Sequence, residues 1–77
     1  MVDPNIIRQR LSGHGDVTAH KNGQFTLSLY RPVGEFWTLR LQKAIRDEIP
    51  GAHIDFYRCR PAGDRAFEHH EIIFTVG

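Results

Sequence analysis

The sequence predicts an α+β fold. The expected architecture is a two-layer sandwich in the order α-β-β-α-β-β, with two helices on one face of a four-stranded, mainly antiparallel sheet. Three observations carry that reading. Apolar residues recur at helical spacing in two segments: Ile6, Ile7 and Leu11, then Trp37, Leu41, Ala44, Ile45 and Ile49. Between and after them lie two stretches of period two, each interrupted by turn residues. Each helix thus has one apolar stripe and each hairpin one apolar face, and pairing them buries all four together. No linker or low-complexity segment divides the 77 residues, so 1–77 reads as a single domain.

The first helix opens on Asp3 as cap and Pro4 at the first helical position, with Gly13 as its stop. In the first hairpin, Val17 and Ala19 alternate with Thr18 and His20, and Phe25, Leu27 and Leu29 alternate with Thr26, Ser28 and Tyr30. A three-residue loop, Lys21-Asn22-Gly23, with Gly23 left-handed, pairs Val17 with Leu27 and Ala19 with Phe25. That register keeps the apolar residues on one face. The second helix spans about Glu35 to Glu48 and ends at Pro50-Gly51. In the last hairpin the Arg60-Pro61-Ala62-Gly63-Asp64 turn pairs Arg60 with Asp64, Ile54 with His70 and Ala52 with Ile72. Ala52, Ile54 and Phe56 then face inward with Ile72, Phe74 and Val76. The expected core is Trp37, Leu41, Ile45, Leu27, Phe56, Ile72 and Phe74.

Composition narrows the function classes. A net charge of +1 with no block of like charge argues against a general electrostatic grip on nucleic acid or an acidic membrane. The single cysteine excludes an internal disulfide and suits a reducing compartment, so a cytoplasmic location is expected. No apolar run approaches the ~20 residues of a membrane span, and the N-terminus has no signal-peptide pattern.

The chemistry-bearing residues gather on the polar face of the last hairpin. In the expected register His53 lies opposite Glu71, Asp55 opposite His69, and Tyr57 opposite Phe67. Paired His and carboxylate groups at cross-strand distance suit metal binding or acid–base work, but also an ordinary solvated sheet face. An open face offers no water-excluding cavity, and HExxH, CxxC, EF-hand and P-loop spacings are absent, so no catalytic residue, metal or cofactor is assigned. Cys59 reads as an ordinary thiol on the polar face, and His70 as a core or rim histidine. Tyr30, His53, Asp55, Tyr57, Phe67, His69 and Glu71 are therefore the candidate binding residues, with tyrosine typical of such surfaces. A second surface is the outer face of helix two, where Phe36 and Leu39 stand among Arg40 and Lys43.

The expected function is a small non-catalytic interaction or regulatory module, working as a homodimer or with a protein partner. Two alternatives stand behind it: a His/acid metal-dependent hydrolase or phosphodiesterase, and a weak single-stranded nucleic-acid binder. The second is disfavoured because the aromatic motif of single-strand RNA readers is missing.

Overall fold

The computed structural model describes residues 3–33, 37–63 and 66–77. Its elements are α1 (Pro4–Leu11), β1 (Asp16–Ala19), β2 (Gln24–Pro32), α2 (Trp37–Glu48), β3 (His53–Pro61) and β4 (Phe67–Thr75). The sheet order is β1-β2-β4-β3, with every neighbouring pair antiparallel. The expected α+β sandwich is therefore present: two hairpins are joined along their second strands, and both helices pack on one face.

Local chemistry explains α1 and the first hairpin. The Asp3 carboxylate accepts from the Asn5 N–H at 2.9 Å, and Ser12 at the C-terminal end donates to the Gln9 carbonyl at 2.9 Å. Ile7 and Leu11 are buried while Ile6 stays half-exposed. Arg10 donates to the Glu48 carbonyl at 3.0 Å, placing a cation where the C-terminus of α2 carries negative charge. In the first hairpin Val17 pairs with Leu27 and Ala19 with Phe25, as expected. The loop places Asn22 at φ 61° and Gly23 at φ 74°.

The core is one cluster: Ile7 and Leu11 from α1, Leu41, Ile45 and Ile49 from and just after α2, and Phe25, Leu27, Leu29, Ile72 and Phe74 from the central strands. Trp37 packs against it half-buried, between the Arg31 and Arg40 guanidinium groups, each 5.1 Å from its ring.

The last hairpin departs from expectation. Arg60 pairs with His69 rather than Asp64, Ile54 with Phe74 rather than His70, and a bulge falls between Ile54 and Phe56. Beyond the bulge the alternation is inverted. Tyr57 turns inward opposite Ile72, whereas Phe56, expected in the core, points outward opposite Ile73 and is 51% exposed. The physical reason is the non-local partner of β4. Pairing Phe25 with Phe74 and Leu27 with Ile72 along β2 makes the inner patch continuous. The observed register then lets β3 cover Ile72 to Thr75 on their other side. Lengthening the loop from three to six residues between paired ends costs only about 0.6 kcal/mol of closure entropy. In exchange Ile54 lies opposite Phe74 instead of His70, which extends the buried apolar patch. Apolar packing therefore overrides the turn preference.

Candidate functional site

The sheet face away from the helices carries three chemistry-bearing rungs. Tyr30, His69 and Arg60 form one, Ser28, Glu71 and Arg58 the next, and Thr26, Ile73 and Phe56 the third. Strand alternation puts them all on the outer face, because their neighbours in sequence fill the core. His69 is the hub. Its Nε2 lies 2.6 Å from the Ser28 hydroxyl, its Nδ1 lies 3.7 Å from Glu71 Oε1, and the Tyr30 ring sits 4.7 Å away, tilted by 32°. Glu71 Oε1 also accepts from Arg60 at 2.7 Å and Arg58 at 3.1 Å. Desolvation acts to raise the Glu71 carboxyl, but the Arg60 hydrogen bond and the charges of Arg58, Arg60 and His69 outweigh it and hold it below the usual range.

Ser28, His69 and Glu71 stand in the order hydroxyl, imidazole, carboxylate, as in a hydrolase relay, but in different surroundings. Two arginines share the carboxylate, and the backbones of β2 and β4 are each engaged in ladders on both sides. N–H groups committed to ladders cannot converge on an oxyanion.

Of the candidate binding residues, the structure brings Tyr30, His69 and Glu71 together. His53 and Asp55 form a separate pair at the far end of β3, 3.5 Å apart, with Thr75 donating to Asp55. The expected His53–Glu71 and Asp55–His69 pairings do not form, since His53 lies opposite Thr75 and Asp55 sits in the bulge. Tyr57 is a correction: it lies on the inner face rather than the polar one, with its hydroxyl 2.5 Å from His70 Nδ1. Phe67 pairs with Pro32 at the sheet end. Sequence reasoning put Ser28 on this face but missed Phe56, Arg58 and Arg60. The alternation of Arg58 and Arg60 about Cys59 was visible, but the assumed register turned it toward the core.

On helix two, Leu39 is 71% exposed, Arg40 lies over Trp37, and Lys43 pairs with Asp47 at 2.5 Å. Phe36 lies outside the described residues.

A second cluster occupies the inner face beyond the helices, where the inverted alternation brings Cys59 opposite His70. One ligand atom each from Cys59, Glu68 and His70 lies within 4.8 Å of the others. Among the described residues these three donors stand close enough together to hold a metal. His70 is 2% exposed. Its Nε2 has no hydrogen-bond partner among the described residues and lies 3.6 Å from Glu68 Oε2. Cys59 and Glu68 line a pocket of about 340 Å³, which Val33, Ala62 and Phe67 also border. Desolvation lowers the His70 imidazole, aided by His69 and Arg31 and opposed by Glu68. Burial raises the Cys59 thiol, with Glu68 adding to the rise and a Tyr57 hydrogen bond opposing it.

In chelator-treated protein, stability is expected to fall on acidification. Below the ordinary imidazole value of 6.5 the unfolded chain takes up a proton at His70 that the folded chain resists. Glu71 acts with the same sign below 4.5, because its folded carboxyl holds its proton less readily. A melting temperature followed from pH 7.5 to 5.5 should decline; a flat or rising profile would contradict the His70 environment.

Fold and surface together define a small α+β sandwich with a bare, aromatic-bearing sheet face. No helix is long and apolar enough to cross a membrane, among the described residues. Compared with protein-family models, curated proteins and solved structures, the chain finds no match.

Proposed function

We propose that the protein is a non-catalytic interaction module whose bare sheet face docks on a second copy of the chain. The observation supporting this most directly is a pair of aromatic anchors held on that face: Tyr30, 60% exposed and seated on His69, and Phe56, 51% exposed on the strand after the bulge. Side chains ordered before association lose little entropy on binding. Among these groups two arginines, Arg58 and Arg60, stand against two carboxylates, Glu71 and Asp55, so with the histidines neutral the formal charges offset. That leaves little field for a polyanion and suits a neutral, self-complementary surface. Area is consistent with a dimer. Three nine-residue strands of ~30 Å and the four-residue β1 of ~13 Å, each ~4.8 Å wide, cover ~500 Å² per copy, and two such faces reach the ~1,000 Å² a specific interface needs. Helix two is the weaker surface, since Arg40 and Lys43 are engaged within their own helix.

Sedimentation velocity tests the reading. Wild-type protein should be dimeric at micromolar concentration, and Tyr30→Asp with Phe56→Asp should weaken the dimer at least about 30-fold, from roughly 2 kcal/mol of lost anchoring. Both side chains are exposed, so the circular dichroism of the variants should be unchanged. A wild type that stays monomeric at ~100 μM, well above the micromolar range of specific dimers, would overturn the proposal. So would a dimer that both variants leave intact.

A further inference from the structure

We infer that Cys59, Glu68 and His70 form a binding site for one divalent transition-metal cation of zinc type. The site is independent of the sheet face and of the docking proposed for it. Four observations converge on it. The three donors are thiol, carboxylate and imidazole, a mixed S/O/N set that zinc accepts and that magnesium or calcium, which prefer all-oxygen shells, would not select.

The second observation is the orphaned nitrogen. A buried imidazole nitrogen without a partner costs free energy, and native structures rarely tolerate one without a use. His70 Nε2 is such an atom, and it is aimed at the Glu68 carboxylate 3.6 Å away. In a tetrahedral zinc shell, neighbouring ligand atoms stand about 3.4–3.6 Å apart. Nε2 and the Glu68 oxygen already meet that spacing. With all three atoms within 4.8 Å, the movement left is about an ångström, within reach of rotation of the exposed Cys59 side chain.

The third observation is the support behind the donors. Metal-ligating histidines usually donate their other N–H to an oxygen, which fixes the ring and its tautomer. The Tyr57 hydroxyl, 2.5 Å from His70 Nδ1, is that oxygen. With Nδ1–H donating to it, Nε2 presents its lone pair to the cluster. The Tyr57 hydroxyl also hydrogen-bonds Cys59, so one side chain positions two ligands.

The last observation is charge. The Cys59 sulfur and the Glu68 carboxylate stand close together, and a dication between them offsets the negative charges they carry as ligands. Binding therefore exchanges the thiol proton for the metal: the Cys59 S–H bond breaks, a metal–sulfur bond forms, and one proton per cation passes to the buffer. Arg31 and, when it is protonated, His69 oppose the incoming charge. The Glu68 carboxylate and the Cys59 thiolate together offset them. Three protein ligands leave a fourth position open beside the pocket that Cys59 and Glu68 line, the geometry of a zinc site that admits water or a small ligand.

Titration of the reduced, chelator-stripped full chain tests the inference, with Zn²⁺ followed by calorimetry and Co²⁺ by absorbance. Wild type should bind one equivalent, release close to one proton in buffers of different ionisation enthalpy, and show thiolate-to-cobalt charge transfer. Cys59→Ser should abolish the charge-transfer band and weaken Zn²⁺ binding at least tenfold. Glu68→Gln should weaken binding at least tenfold while keeping the band. Tyr57→Phe, which removes only the supporting hydroxyl, should weaken binding about 10–100-fold and also keep it. His70 is too deeply buried for its replacement to be a clean test, so these three variants carry the experiment. Absence of stoichiometric binding by wild type would overturn the inference. Undiminished binding by Cys59→Ser and Glu68→Gln would too, since it would place the cation on surface histidines such as His53.

Discussion

Replacing Phe74 with alanine is expected to cost about 3–5 kcal/mol of unfolding free energy, the largest effect of any single truncation in the chain. Phe74 is fully buried on β4, stacked on Phe25 at 5.6 Å, and lies between Phe25 on β2 and Ile54 on β3. Its ring is the point where both hairpins and the helices share one core, so the surrounding atoms cannot collapse into the space without separating strands. Leu41→Ala on α2 should cost a comparable 2–5 kcal/mol. A domain this short has only about 4–12 kcal/mol in all, so either change removes a large share of it. Phe56→Ala is the contrast. The half-exposed ring should cost about 1 kcal/mol or less. Urea unfolding of the three variants at one protein concentration checks the set. A Phe56 variant as damaged as the Phe74 variant would mean that β3 keeps Phe56 in the core and that the bulge is wrong.

Gly23→Ala is the second large effect, at about 2–3 kcal/mol, and it acts through backbone. Gly23 has φ 74°, where a side chain costs about 1–2 kcal/mol. A Cβ there would also come within 2.4 Å of the Val76 carbonyl oxygen. Relieving that clash pushes the loop from the C-terminal strand end and loosens the hydrogen bond from the Val76 N–H to the Gly23 carbonyl, 2.9 Å long. Losing it adds about 1 kcal/mol. Gly51, at φ 89° with nothing within 4 Å of its would-be Cβ, isolates the conformational part. Gly51→Ala should therefore cost only about 1–2 kcal/mol. Equal losses at the two glycines would show that the approach of Val76 contributes nothing.

The candidate site was less legible than the fold. Tyr30, His69 and Glu71 were readable because β2 and β4 each keep an uninterrupted period of two. Arg58, Arg60 and Phe56 were not, because the bulge at Asp55 reverses which parity of β3 faces water. The same reversal moved Tyr57 and Cys59 to the inner side, so the Cys59–Glu68–His70 cluster has no signature in residue spacing. Its members come from two strands whose registration depends on a third.

What the amino-acid sequence determined by itself is everything settled within a few residues of chain. The Asp3-Pro4 cap, the Asn22-Gly23 loop, the stripe of Leu41, Ile45 and Ile49, and the Val17–Leu27 register each follow from local sterics, hydrogen bonding and the period of apolar residues. The tertiary structure alone decided the strand order, the registration of β3 on β4, and therefore which side chains share a site. In that last hairpin a favourable turn and an alternating pattern agreed on one register. A loop three residues longer cost less than leaving Ile73 to Thr75 uncovered on the side away from β2 and setting Ile54 opposite His70. Local preferences of a few tenths of a kcal/mol yield when a continuous core and a full ladder oppose them. A one-residue bulge is then enough to send an entire strand's chemistry to the other face.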